Sequence, residues 1–194
     1  YKDQDYVWII DPLDGTTNYI HDYAPYCVSI ALRYKGELQI GVVYEVCRDE
    51  CFFAWKDGGA YINGQKIHVS DIAEMNKAFV GFDLPYEDKL YKPVANTILN
   101  ELYGKSASLR MCGSAAMALC FVAAGRFDIW AEAFINPWDY SAGALIIIEA
   151  GGEGMGLLIM QWSPKILVAW NWRKWVKDLR NHTDVIFTRC FKDI

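Results

Sequence analysis

The stretch that most constrains this chain is Val7-Trp8-Ile9-Ile10-Asp11-Pro12-Leu13-Asp14-Gly15-Thr16-Thr17-Asn18-Tyr19. Val7 to Ile10 is a short apolar run and reads as the end of a buried strand. The run breaks at Pro12 and Gly15, the strongest turn signals a chain can carry. Asp11 and Asp14 sit inside that break. Two acids on a rigid turn are poor material for a core and good material for a hard cation. Oxygen ligands in such a place suit Mg²⁺, which takes one or two carboxylates, waters and substrate phosphate. Gly15, Thr16 and Thr17 add open backbone N–H groups and hydroxyls that can cradle a phosphate. An acid-rich turn that merely caps a helix fits the bare spacing equally well.

The chain has 194 residues, enough for one core, and it reads as a single domain over residues 1–194 with no internal repeat. A hydrophobic content of 53% with 22% charged residues describes a globular chain. The net charge of −5, without a basic block before the last thirty residues or so, argues against a nucleic-acid partner. A small anionic substrate stays compatible if metal ions mask the local acids. Cys27, Cys47, Cys51, Cys112, Cys120 and Cys190 show no paired metal-ligand spacing. They read as reduced cysteines of a cytoplasmic protein. No apolar stretch is long enough to cross a membrane.

Alternation predicts strands over Cys27–Tyr34, Leu38–Tyr44, Glu50–Trp55 and Ala60–Ile62, with a last short strand over Lys66–Val69. Lys56-Asp57-Gly58-Gly59 and Asn63-Gly64 are the hairpin turns between them. A strand over Ala78–Phe82, a helix over Leu90–Tyr103 and a strand over Ala107–Met111 follow. A helix then opens at Gly113-Ser114-Ala115-Ala116 and stops at Gly125. Ser114 reads as its cap, although a helix start can equally face an anionic ligand. Next come a strand over Arg126–Ala131 with Glu132 at its end, and the turn Asn136-Pro137-Trp138-Asp139. The last helix runs from Tyr140 to Ala150, with Asp139 as its expected N-cap. Asp139 either only caps that helix or joins Asp11 and Asp14 at a metal. His21, in a polar loop, reads as solvent-facing. Hairpins followed by strand–helix alternation point to a layered α/β fold.

Asp11-Pro12-Leu13-Asp14-Gly15-Thr16-Thr17-Asn18-Tyr19 and Trp138-Asp139-Tyr140-Ser141-Ala142-Gly143, followed by Glu149-Ala150-Gly151-Gly152, resemble the two signatures of the inositol monophosphatase family. Gly113-Ser114-Ala115-Ala116 falls between them as in that family. The resemblance covers about residues 6–152. It implies an α/β/α/β/α sandwich of the inositol monophosphatase and sugar phosphatase type, usually a homodimer, acting as a Mg²⁺-dependent, lithium-sensitive phosphatase. By position, Asp11, Asp14, Asp139 and the Leu13 carbonyl would ligate metal. Asp14 and Thr16 would be catalytic, with the Thr16 hydroxyl orienting the attacking water. The Gly15 and Thr16 amides would hold phosphate, Glu132 would bind polyol hydroxyls, and Gly113, Ser114 and Ala115 would line the pocket. The Thr17-Asn18-Tyr19 ending resembles the inositol monophosphatase branch more than the bisphosphate nucleotidase branch. It favours a small phosphorylated polyol over a nucleotide or sugar bisphosphate. A non-catalytic regulatory or RNA-polymerase-binding relative is the alternative of another class.

Two departures qualify the resemblance. Family members carry N-terminal helices with a Gly-Glu-Glu motif whose glutamate is a further metal ligand. Neither precedes Tyr1 here, so the fold is expected to lack those helices and the chain alone to show weak or no activity. The pattern also departs over residues 153–165. There the family reads Lys/Arg-Val-x-Asp, and this chain reads Glu153-Gly154-Met155-Gly156-Leu157. A one-base shift of reading frame restores the family wording. Sequencing the DNA across codons 150–166 tests that account, and an unambiguous frame identical to the present one rejects it.

Overall fold

Apolar–polar alternation in the first half builds an antiparallel meander. In the computed structural model, which describes residues 4–84, 88–133, 135–152, 155–159 and 165–170, six strands lie side by side in chain order. They are β1 (Tyr6–Asp14), β2 (Cys27–Tyr34), β3 (Glu37–Glu45), β4 (Glu50–Trp55), β5 (Gly59–Ile62) and β6 (Gln65–Lys66). A five-residue helix, α1 (Thr16–Ile20), joins β1 to β2. One face of the sheet buries Cys27, Ala31, Val43, Phe52, Ala54 and Ala60. The alternate positions form the other face, where Tyr6, Trp8, Ile10, Ile40, Tyr44 and Trp55 are exposed.

The second half builds a mixed sheet in the order β10-β11-β9-β7-β8. Its strands are β7 (Phe79–Asp83), β8 (Ser108–Arg110), β9 (Ile129–Ala133), β10 (Met155–Ile159) and β11 (Lys165–Trp170). β7 runs parallel to β8 and β9, and β11 runs antiparallel to β9 and β10. Parallel neighbours need a crossover, and α2 (Asp88–Leu102) supplies it between β7 and β8.

Two helices fill the space between the sheets. All nine residues of α3 (Ala115–Ala123) are buried, and α4 (Pro137–Glu149) is buried from Ser141 to Ile147. A helix apolar all round belongs inside a protein. α4 packs on the first sheet and α3 packs between α4 and β9. The sheet–helix–sheet heart of the expected α/β sandwich is therefore present. The two helices approach closely because Gly143 faces the Leu119 side chain, where an added Cβ would lie 2.5 Å from the Leu119 Cβ.

Four elements have a boundary three or more residues from the sequence reading. β1 does not end at Ile10; it continues to Asp14, with its register against β2 shifting between Asp11 and Asp14. A bulge lets the strand carry Pro12 without breaking. The strand expected over Lys66–Val69 is only Gln65–Lys66, because Val69 instead donates its N–H to the Ala150 carbonyl at 3.2 Å. The strand expected over Arg126–Ala131 is Ile129–Ala133, because the Arg126 and Phe127 amides are used to close α3 on the Phe121 carbonyl. Glu132 is therefore inside the strand. α4 starts at Pro137 and not Tyr140, with proline at the first helical position. Within the 153–165 segment, Met155–Ile159 and Lys165 lie in strands; Glu153, Gly154 and 160–164 lie outside the described residues, as does Cys190.

A Cβ at Gly41 would sit 2.6 Å from the backbone oxygen of Ala142, which cannot swing away as a side-chain tip can. Gly41→Ala should therefore lower unfolding stability by about 1–3 kcal/mol, the usual range for overpacking. Urea denaturation followed by tryptophan fluorescence measures it, and an unchanged midpoint contradicts this packing of β3 on α4.

Candidate functional site

The end of β1, the start of α3 and the start of α4 meet around a cavity of about 490 Å³. Its wall includes Asp14, Gly15, Thr16, Asn18, Asp83, Gly113, Ser114, Ala115, Glu132 and Asp139. Four of the sixteen lining residues are acids, and none of the sixteen is Lys, Arg or His.

Asp14 is clamped from across the chain. Its Oδ2 accepts the Ser114 hydroxyl at 2.7 Å and the Ala116 N–H at 2.7 Å. Ser114 is also the N-cap of α3, its Oγ accepting the Met117 N–H at 3.3 Å. The cap expected from sequence and the contact to the acidic turn are thus one hydroxyl in two roles. Burial pushes the Asp14 carboxyl up to about 6, and the charges of Asp11 and Asp139 add to the rise, against the pull of its two donors.

Asp139 is not the N-cap of α4; Asn136 is. Asp139 stands three residues in, where its Oδ2 accepts the Asn136 N–H at 2.5 Å. That is the returning half of a capping box. The Asp139 carboxyl is raised, first by burial and also by the charge of Asp11. Asp11 Oδ1 accepts the Leu13 N–H at 3.0 Å. Each of the three acids thus has an oxygen held by a protein donor.

Asp11 and Leu13 are not part of the cavity wall, and the Leu13 carbonyl accepts the Thr16 hydroxyl at 3.0 Å. Gly15 has φ +84°, a left-handed conformation, and a Cβ there would lie 2.9 Å from the Pro25 carbonyl oxygen. Only glycine meets both conditions. Gly113 has φ +72° and packs against the Asn18 amide. Among the described residues no three His, Cys, Asp or Glu side chains are gathered as a ready metal cluster. The donor chemistry nevertheless fits Mg²⁺, which keeps several waters and needs few carboxylates. A cation beside it would favour the entry of an anion into this acid-walled cavity.

Glu132 faces Asp83 across the parallel pair β9–β7. Its Oε2 is buried without a hydrogen-bond partner among the described residues. Burial, followed by the charges of Asp83, Asp14 and Asp139, pushes its carboxyl up to about 9. The sequence reading missed Asp83 and Asn18. The signal for Asp83 was an acid closing an apolar run, since the C-terminal ends of parallel strands are where α/β sheets place ligands. Asn18 gave no such signal, because its role depends on chain segments far away in sequence. His21 is exposed at the end of α1, as expected. Cys27, Cys47, Cys51, Cys112 and Cys120 are free thiols.

Comparison with known proteins agrees with this layered fold. The family model described as "Inositol monophosphatase family" matches residues 1–165. The Nus factor SuhB of Escherichia coli K12 is 41% identical over 150 residues, which is 77% of this chain and 56% of that protein. The putative Nus factor SuhB of Neisseria meningitidis serogroup B is 43% identical over 148 residues, 76% of this chain and 57% of that protein. The solved inositol monophosphatase of Anabaena (Nostoc) sp. PCC 7120 superposes with a TM-score of 0.79 at 37% identity, over 87% of this chain and 68% of that one. The chain belongs to the inositol monophosphatase family, and it spans a little over half the length of these curated relatives. No helix among the described residues is long and apolar enough to cross a membrane.

The raised carboxyls set a pH dependence. In the unfolded chain Glu132 loses its proton near 4.5, and in the folded protein only near 9. A raised carboxyl stabilises the fold fully below the unfolded value and loses that contribution as pH rises through the folded one. The metal-free protein should thus melt at lower temperature at pH 9 than at pH 5. Glu132→Gln should flatten the fall, and calorimetry at the two pH values reads it. An equal fall in both proteins counts against a buried Glu132 carboxyl.

Proposed function

We propose that this chain carries the site of a Mg²⁺-dependent phosphomonoesterase whose preferred substrate is a small phosphorylated polyol, inositol monophosphate being the leading candidate. The observation that carries this reading is the cavity wall itself, four acids with no cationic side chain, in a member of the inositol monophosphatase family. Asp11, Asp14, Asp139 and the Leu13 carbonyl would hold Mg²⁺. Bound there, Mg²⁺ would neutralise phosphoryl charge and lower the pKa of a bound water. The Gly15 and Thr16 amides would receive the phosphate oxygens. The Thr16 hydroxyl, now donating to the Leu13 carbonyl, is oriented by that bond and can accept from a water with its other side. Glu132, protonated in the folded state, would present both a donor and an acceptor to a polyol hydroxyl. Gly113, Ser114 and Ala115 would shape the wall opposite. Phosphoryl transfer needs mainly positioning and charge neutralisation, so no serine or cysteine nucleophile is required. Lithium sensitivity, a cytoplasmic location and a homodimeric assembly belong to the same reading.

A second reading rests on names. The curated relatives quoted above are Nus factors. A regulatory role, with the site binding and not turning over, is therefore the alternative, and the acidic net charge does not rule out a partner of that kind.

Phosphate release from inositol 1-phosphate, with and without Mg²⁺ and Li⁺, separates the two. Under the enzymatic reading release requires Mg²⁺, is depressed by Li⁺, and falls at least about a hundredfold in Asp139→Asn, the scale of losing one preorganised electrostatic contact. Mg²⁺-dependent binding of the same compound without release supports the regulatory reading.

A further inference from the structure

Asp83 lies outside both signature motifs, yet it ties together the pieces of the cavity that those motifs do not. It closes β7 and is almost fully withdrawn from solvent. Its Oδ1 accepts the Cys112 N–H at 2.9 Å and the Gly113 N–H at 2.7 Å. Its Oδ2 accepts the indole N–H of Trp130, a fully buried side chain of β9, at 3.0 Å. The loop it grips does not end there. The Cys112 carbonyl accepts the Asn18 side-chain N–H at 3.0 Å, and the same amide group reaches the Pro25 carbonyl at 2.8 Å. Asn18 lies in α1, the helix that begins at Thr16 directly after Gly15. One residue past the gripped loop, Ser114 donates to Asp14.

We propose that Asp83 is the positioning residue of the site: by fixing the Cys112-Gly113 backbone between Trp130 and Asn18, it sets where Ser114 holds Asp14 and where α1 stands against the cavity. It touches no reacting group itself. The contribution to Asp14 rests on the phosphatase reading above only for its kinetic consequence; the mechanical coupling does not.

The geometry dictates an asymmetric substitution. Asp83→Asn keeps one acceptor oxygen but turns the other into an NH₂ group. With the NH₂ group on the loop it meets two N–H donors, those of Cys112 and Gly113; with it turned the other way it meets one. With the oxygen on the loop, the NH₂ group meets the Trp130 indole N–H, and Trp130→Phe removes that conflict. The double variant should regain what the single variant loses.

Residue-resolved amide hydrogen exchange on the metal-free chain tests the coupling. In Asp83→Asn, the conflict with the Trp130 indole pushes the side chain off the loop, and exchange should quicken on the order of tenfold at Cys112 and Gly113. It should also quicken at Ala116, whose N–H donates to Asp14, and at Tyr23, whose N–H donates to the Asn18 carbonyl at 2.9 Å. Amides of β3 and β4 should keep their wild-type rates. Adding Trp130→Phe should bring Ala116 and Tyr23 back toward wild type. Faster exchange confined to Cys112 and Gly113, or no recovery in the double variant, overturns the proposal and leaves Asp83 a local loop tie. Where the wild-type chain hydrolyses inositol 1-phosphate, the loss in Asp83→Asn should fall on kcat, with KM within about threefold; a change in KM alone overturns it. Should the wild-type chain release no phosphate, that outcome bears on the phosphatase reading, and the exchange rates decide the role of Asp83.

Discussion

The arrangement depends on one carboxylate oxygen. Asp14 Oδ2 receives two hydrogen bonds from the first turn of α3, across 100 and 102 residues of chain. That clamp locks the bulged end of β1 to a helix that is buried along its whole length. β1 belongs to the meander sheet and α3 packs towards the mixed sheet, so the clamp also registers one sheet against the other. Asp14 also lines the cavity, so the clamp fixes one acid of its wall. The cost is visible in the raised carboxyl of Asp14, buried beside two like charges. A site that holds acids together against their repulsion is prepared for a cation.

Much of the fold was legible because the meander obeys simple alternation. The strands Cys27–Tyr34 and Glu50–Trp55 have the bounds read from sequence. The helix opened by Ser114 and closed before Gly125 follows ordinary capping chemistry, with Gly125 at φ +67°. The misreadings share a cause. Pro12 looked like a strand end because a proline cannot donate to a ladder, but β1 lies at the sheet edge and a bulge absorbs it. Asp139 looked like a cap because it precedes an apolar run; the true cap, Asn136, stands before a proline that begins the helix. In each case the local signal was real and a neighbouring residue displaced it.

The candidate site was legible for a different reason. Its residues cluster in short motifs whose turn chemistry makes little sense as packing. Asp83 escaped because it resembles the polar end of an ordinary strand, and its meaning comes only from the parallel pairing that places it opposite Glu132. Asn18 escaped because it bridges two carbonyls, Pro25 and Cys112, that nothing local brings near. Residues that act by joining distant segments leave no periodic trace.

The same long-range clamp has a consequence for how the molecule comes into being. Contacts between residues a hundred or more positions apart form late, since the intervening loop must first be closed. A nascent chain could lay down the meander sheet early, strand by strand. Asp14 would wait without its clamp until α3 emerged, and without Asp139 until α4 followed. On the proposed reading, the cation site would be complete only once synthesis has passed α4, and the half-made protein would hold its acids apart until then.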